Sequence, residues 1–72
     1  MKVLVKVMPA EGVADPQGRV IQEALKSLGY DEVVSVRSGK LFELELDGDA
    51  RLHEICSRVL TNPLVEQYEV ER

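Results

Sequence analysis

The chain has few residues with which to do chemistry. Its 72 residues include one cysteine, Cys56, one histidine, His53, and no tryptophan. A single cysteine excludes an intrachain disulfide, and with no CxxC and no second histidine there is no cluster at metal-ligand spacing. Aromatic residues make up 4% of the chain. That is too few for the stacking platforms that single-stranded RNA requires, and Phe42 is placed on the inward side of its strand. Nine Lys and Arg against 13 Asp and Glu leave a net charge of −4, which argues against nucleic acid as a partner because phosphate contacts need a basic surface. No apolar run approaches the roughly 20 residues of a membrane span, and Met1 to Met8 is too short and too lysine-rich for a signal peptide. The expectation is a soluble, cytoplasmic protein with no membrane partner.

What is present makes one domain, residues 1–72. A chain of this length buries only about 60–65% of its unfolded surface, so without a disulfide or a metal the extra burial is expected from self-association. Charge is uneven. Up to Lys40 there are six basic and five acidic side chains, and from Leu41 onward three basic and eight acidic ones. The acidic half reads as a solvated or partner-facing surface, because Glu43, Glu45 and Asp47 alternate with apolar residues as in a strand.

The clearest local signal runs from Asp15 to Gly29. Asp15 can cap the free N–H groups of a first helical turn, and Pro16 follows where a missing N–H costs nothing. Val20, Ile21, Ala24, Leu25 and Leu28 form one apolar stripe, and Gly29 accepts the left-handed backbone that ends a helix. Gly18 in the first turn is unexplained by stability and reads either as a frayed turn in which glycine is merely tolerated or as close approach by another backbone or a partner.

Around this helix the spacing predicts four strands. Lys2 to Met8 alternates with Val3, Val5 and Val7 on one face, and Pro9 to Ala14 is a loop. Glu32 to Arg37 is valine-rich and reads as a second strand, and Ser38-Gly39 as the tight turn of a hairpin into a third, Lys40 to Asp47. Asp49 is placed as the cap of a second helix, whose Leu52, Ile55, Cys56, Val59 and Leu60 form its stripe. That helix stops at Asn62, ahead of Pro63. Leu64 to Glu71 is the fourth strand, with Tyr68 and Val70 inward.

The order βαββαβ predicts an α+β, ferredoxin-like fold: a four-stranded antiparallel sheet with two helices on one face. That plan sets Lys2 and Lys6 near Glu43, Glu45 and Glu69 on the open face. Leu4, Met8, Val33 and Leu41 share that face, which points to self-association.

No nucleophile lies beside a plausible base, so no catalytic residue is assigned. His53 reads as a surface residue and Cys56 as a small core filler. Two exposed features suit an anion or a protein partner: the start of the first helix at Gln17, Gly18 and Arg19, and the basic tip Arg37-Ser38-Gly39-Lys40.

Three runs together resemble a known family: Gly12-Val13-Ala14-Asp15-Pro16-Gln17-Gly18; Val36-Arg37-Ser38-Gly39-Lys40 leading into Phe42-Glu43-Leu44-Glu45; and Cys56 with Leu60-Thr61-Asn62-Pro63-Leu64-Val65-Glu66-Gln67-Tyr68. They are similar to the PurS subunit of phosphoribosylformylglycinamidine synthase, in the same order and over nearly the whole chain. The chain departs from that pattern at Ala10-Glu11, where members often carry Lys-Pro, and in passing directly from Asp47 to Asp49 before the second helix. The resemblance implies a non-catalytic small subunit of an ATP- and glutamine-dependent purine-biosynthesis complex. It would act as a homodimer bridging a glutaminase subunit and a large synthetase subunit for ammonia transfer. ATP, Mg and glutamine are then expected on those partners, with no cofactor or metal here. Asp15, Gln17, Gly18, Arg37, Gly39, Lys40 and Asn62 become the expected partner-interface residues. The competing readings are a homodimeric regulatory domain that binds a small molecule and, more remotely, an acylphosphatase-like enzyme using Arg19.

Overall fold

Val3, Val5 and Val7 determine where the core forms. They project from one face of β1 (Lys2–Pro9), the central strand, and all three are buried. The computed structural model describes residues 1–72. β1 pairs antiparallel with β2 (Lys40–Glu45) on one side and with β3 (Glu66–Glu71) on the other, giving the order β2-β1-β3. Leu52 and Cys56 close over the three valines from α2 (Leu52–Ile55) and the π-helical turn Cys56–Leu60 that continues it. Phe42, Leu44, Leu46, Tyr68 and Val70 pack around this cluster half-buried, on the side expected of them. Thr61 explains the wide turn. Its N–H and its hydroxyl both donate to the Cys56 carbonyl five residues back, at 3.1 and 2.9 Å. His53 on α2 meets the Tyr68 hydroxyl through Nδ1, tying the helix to β3.

The other face carries the charges. Lys2 lies opposite Glu45 yet pairs with Glu43 at 3.0 Å, and Lys6 lies opposite Glu69 yet pairs with Glu71 at 3.0 Å. Both ion pairs are therefore diagonal, as strand twist permits for long side chains. Asp49 does not cap α2 with its side chain. Its carboxylate is taken by Arg72 at 2.6 Å, and only its carbonyl accepts the Leu52 N–H.

The largest departure from the expected plan lies between the first helix, α1 (Pro16–Ser27), and β2. α1 forms as predicted: Asp15 accepts from the Gly18 N–H at 3.0 Å. At its C-terminus Gly29 takes φ +92°, with Gly29 N–H to Lys26 O and Tyr30 N–H to Leu25 O, the paired bonds of a Schellman motif. But α1 does not cover the sheet. No α1 side chain joins the core, and its only buried residue is Gly18.

The second strand and its hairpin are absent too. The sheet has three strands rather than four, and Val33 to Gly39 form no ladder. Ser38-Gly39 is not a turn, because Gly39 lacks the positive φ that a two-residue hairpin turn requires. Instead the chain passes straight through. Lys40 lies opposite Val7, Gly39 rests against the Val7 carbonyl and Met8, and the Arg37 guanidinium donates to the Pro9 carbonyl, all in step along β1. Residues 33–45 are thus one extended run, roughly 43 Å at about 3.3 Å per residue. The molecule's long axis is 47 Å. The first third of the run, with α1 beside it, stands clear of the sheet as an arm.

Candidate functional site at the arm junction

The arm is anchored where the sheet ends, and the residues singled out in the sequence gather there. Asp15 is the pivot. One carboxylate oxygen accepts from Gly18 N–H at 3.0 Å and the other from Ser38 N–H at 2.6 Å, so a single side chain caps α1 and ties it to the extended run. Those two N–H groups, that of Ser38 foremost, hold the Asp15 carboxyl below the ordinary carboxylate range. Gly18 is bare because a Cβ there would stand 2.6 Å from the Val36 carbonyl oxygen and strike the Asp15 carboxylate. Of the two readings of this glycine, close approach is the one that holds, and it comes from this chain's own backbone. One turn further on, the Gln22 side chain donates to the Val34 carbonyl at 3.0 Å, extending the seam.

On the sheet side of the junction, a Cβ at Gly39 would collide with the Val7 carbonyl and the Met8 thioether. Lys40 pairs with Glu66 at 3.4 Å, and Glu66 accepts the Asn62 N–H at 2.7 Å. The Asn62 N–H is the main cause of the depressed Glu66 pKa, with Lys40 adding to it. Asn62 also accepts from Leu64 N–H with its side-chain oxygen at 3.2 Å, an Asx turn that carries the chain past Pro63. Lys40 and Asn62 are therefore joined in one network through Glu66, Arg37 and Gly39 lie against the neighbouring end of β1, and Asp15 and Gly18 secure the arm beside it. Gln17 is exposed on the first turn of α1 and stands outside this network.

Sequence reasoning missed Glu66, Ser38 and the Pro9 carbonyl. Glu66 four residues after Asn62 offered a faint signal, since a carboxylate can reach back to a free N–H at that spacing. Ser38 and Pro9 act through backbone atoms, which no residue type announces.

Over the junction, on the open face of the sheet, lies a groove of about 660 Å³ lined by Lys6, Met8, Arg37, Lys40, Leu41 and Glu69 among others. Its size suits a small molecule. Its cations, however, already have partners: Lys6 holds Glu71, Lys40 holds Glu66 and Arg37 holds the Pro9 carbonyl. Cys56 is buried, and burial pushes its thiol up, away from the reactive thiolate. This arrangement offers shaped and charged surface. No helix is long and apolar enough to cross a membrane.

The family model described as "PurS: Phosphoribosylformylglycinamidine (FGAM) synthase" matches residues 2–72. The chain belongs to the PurS family. Phosphoribosylformylglycinamidine synthase subunit PurS of Bacillus subtilis is 43% identical over 97% of this chain and 89% of its own length. The crystal structure of B. subtilis PurS matches with a TM-score of 0.85 at 42% identity, covering 99% of this chain and 98% of that one. Methanocaldococcus jannaschii PurS, one of the subunits of formylglycinamide ribonucleotide amidotransferase in the purine biosynthetic pathway, matches with a TM-score of 0.83 at 31% identity. That match covers 97% of this chain and 92% of that one. A chain in the structure of PurLQS from Thermotoga maritima matches with a TM-score of 0.81 at 30% identity, covering 97% and 93%. The arm, residues 15–38, is a third of this PurS-family chain. A TM-score of 0.85 over nearly all residues therefore includes it.

Proposed function

We propose that this chain is the non-catalytic coupling subunit of a phosphoribosylformylglycinamidine synthase. As a homodimer in the cytoplasm it bridges a glutaminase subunit and a large synthetase subunit, so that ammonia released by one is used by the other. ATP, Mg and glutamine bind to those partners, and this chain contributes interfaces alone. The observation that carries the reading is the full-length likeness to a chain of the T. maritima PurLQS assembly. The junction supports it in kind: Arg37 and Lys40 beside a groove, with Gln17 exposed on the first turn of α1, form a charged surface open to a partner. Reconstitution tests it. Glutaminase and synthetase components mixed with this chain should bind it and gain glutamine-dependent turnover of formylglycinamide ribonucleotide. Failure of both binding and stimulation would reject the assignment. The groove also supports a second reading, a regulatory small-molecule site. A metabolite that raised the melting temperature of the isolated chain, with replacement of Lys40 abolishing the shift, would favour it.

A further inference from the structure

We infer that the groove on the open face of the sheet is the seat for a carboxylate of an enzyme component, an Asp or Glu side chain on a protruding segment. The Arg37 guanidinium receives it, with Met8 and Leu41 as the apolar floor beside it. The inference rests on the coupling-subunit reading above and says which surface a partner meets and by what chemistry.

Alternation makes the groove. Arg37, Gly39 and Leu41 stand two residues apart on an extended run, so they share one side, and Leu41 lies opposite Lys6 on the open face. Gly39 leaves the middle place empty. The Met8 thioether lies where a side chain at Gly39 would be, so the floor between Arg37 and Leu41 is low and apolar. Gln67, opposite Met8, and Glu69, opposite Lys6, form the far wall.

Arg37 is the cation with charge to offer there. Lys6 and Lys40 each hold a carboxylate, at 3.0 and 3.4 Å, whereas none of the chain's ion pairs includes Arg37. Asp15, whose carboxyl feels the Arg37 charge, is already held by the Ser38 and Gly18 N–H groups. The Pro9 carbonyl takes an N–H of the guanidinium and fixes its place beside the groove. A guanidinium carries further N–H donors in a planar fork, so the charge and those donors stay available to a carboxylate.

Exposure selects a protein as the occupant. A small-molecule site buries most of its ligand's surface, but here Leu41 is 62% exposed and the Lys6 side chain 51%. A protein segment brings its own cover. Charge then restricts where an acidic segment can land. The net charge is −4, and from Leu41 onward three basic side chains face eight acidic ones, so that half repels such a segment while Arg37 attracts it.

The test titrates each enzyme component separately with the full chain and with three variants, Arg37→Glu, Gln67→Glu and Arg51→Glu. Gln67→Glu adds a carboxylate to the groove wall without touching the Arg37 bond to Pro9. Arg51→Glu repeats the charge change of Arg37→Glu at an exposed, unpaired arginine where α2 begins. Arg37→Glu should weaken binding of one component by about 30-fold or more, as for a hot-spot residue. Gln67→Glu should weaken the same component, and Arg51→Glu should stay within about fivefold of the parent. NMR of the labelled Met8 methyl reads the groove in an unaltered chain, and its signal should shift or broaden when that component is added. A parent that binds neither component overturns the coupling-subunit reading and this inference with it. A parent that binds while the Met8 methyl stays unmoved, or equal binding by Arg37→Glu, overturns the groove alone. Equal weakening by Arg37→Glu and Arg51→Glu marks a general effect of charge and does the same. A saturable shift of the Met8 methyl with inorganic phosphate alone would assign the groove to a small anion, and a lower mass of isolated Arg37→Glu by light scattering would assign it to a second copy; both reject the docking.

Discussion

The sheet and the arm are built from similar side chains to opposite effect. In the sheet, Val3, Val5 and Val7 alternate on a central strand, meet Leu52 and Cys56, and vanish from solvent. In the arm, Val33, Val34 and Val36 sit on an extended run with no strand beside it, and α1 turns its apolar stripe to water. Composition does not separate the two regions; partners do. The sheet is complete within one chain, and the arm holds its shape through a few polar ties at its root while leaving its apolar surface unspent. The radius of gyration records the result: 15.2 Å, where a compact domain of this length would have about 11 Å.

The contrast breaks most severely with Leu52→Ala. Leu52 is buried against the valine triplet, and truncating a buried leucine costs about 2–5 kcal/mol, comparable with the whole stability of a small domain. The expected outcome is loss of the cooperative unfolding transition in urea. Leu28→Ala is the matched change on the arm. It should shift the stability of the isolated chain by no more than about 0.5 kcal/mol, as for other surface substitutions, read as an unchanged urea midpoint.

Gly39→Ala comes next. Its Cβ would drive into the Val7 backbone, so about 1–3 kcal/mol is expected from overpacking, read as a lower urea midpoint at unchanged slope. Asp15→Asn is smaller and more local. It keeps a capping oxygen but removes the charge that faces the Ser38 and Gly18 N–H groups. Amides of the first turn of α1 and of Ser38 should exchange faster, while those of β1 stay unchanged.

Acid separates the same two regions. The Asp15 carboxyl is lowered from its ordinary value of 3.8 by folding, so its contribution is fully present above that value. It is lost as pH falls through the still lower folded value. Glu66, lowered from 4.5, and Asp49, lowered from 3.8, behave alike. Stability should therefore fall on acidification below about pH 4. An NMR titration should show the arm root at Ser38 moving, with Val3 and Val5, which hold no titrating partner, responding last.

The parts that were legible in the sequence are those with local causes. Asp15, Pro16 and Gly29 marked α1 to within two residues, and valine alternation marked β1 and its buried face. Cys56 and Tyr68 took their expected positions. The second of the four expected strands does not form: Ser-Gly has the composition of a turn, while whether the chain turns there depends on what lies alongside it. Here the end of β1 fits Gly39 closely and the run continues straight. Asp49 was assigned to α2 because nothing local discloses that Arg72, 23 residues away, takes its carboxylate. At the candidate site, the side chains were recognisable from their motif, but their shared role in anchoring the arm emerges only when Asp15 meets Ser38 across 23 residues.

Mixing the chain with glutaminase and synthetase components tests most directly whether it works through its surfaces alone. Glutamine-dependent turnover should rise when the chain is added, with no turnover by the chain by itself. Turnover by the isolated chain, or indifference of both components to its presence, would contradict that reading.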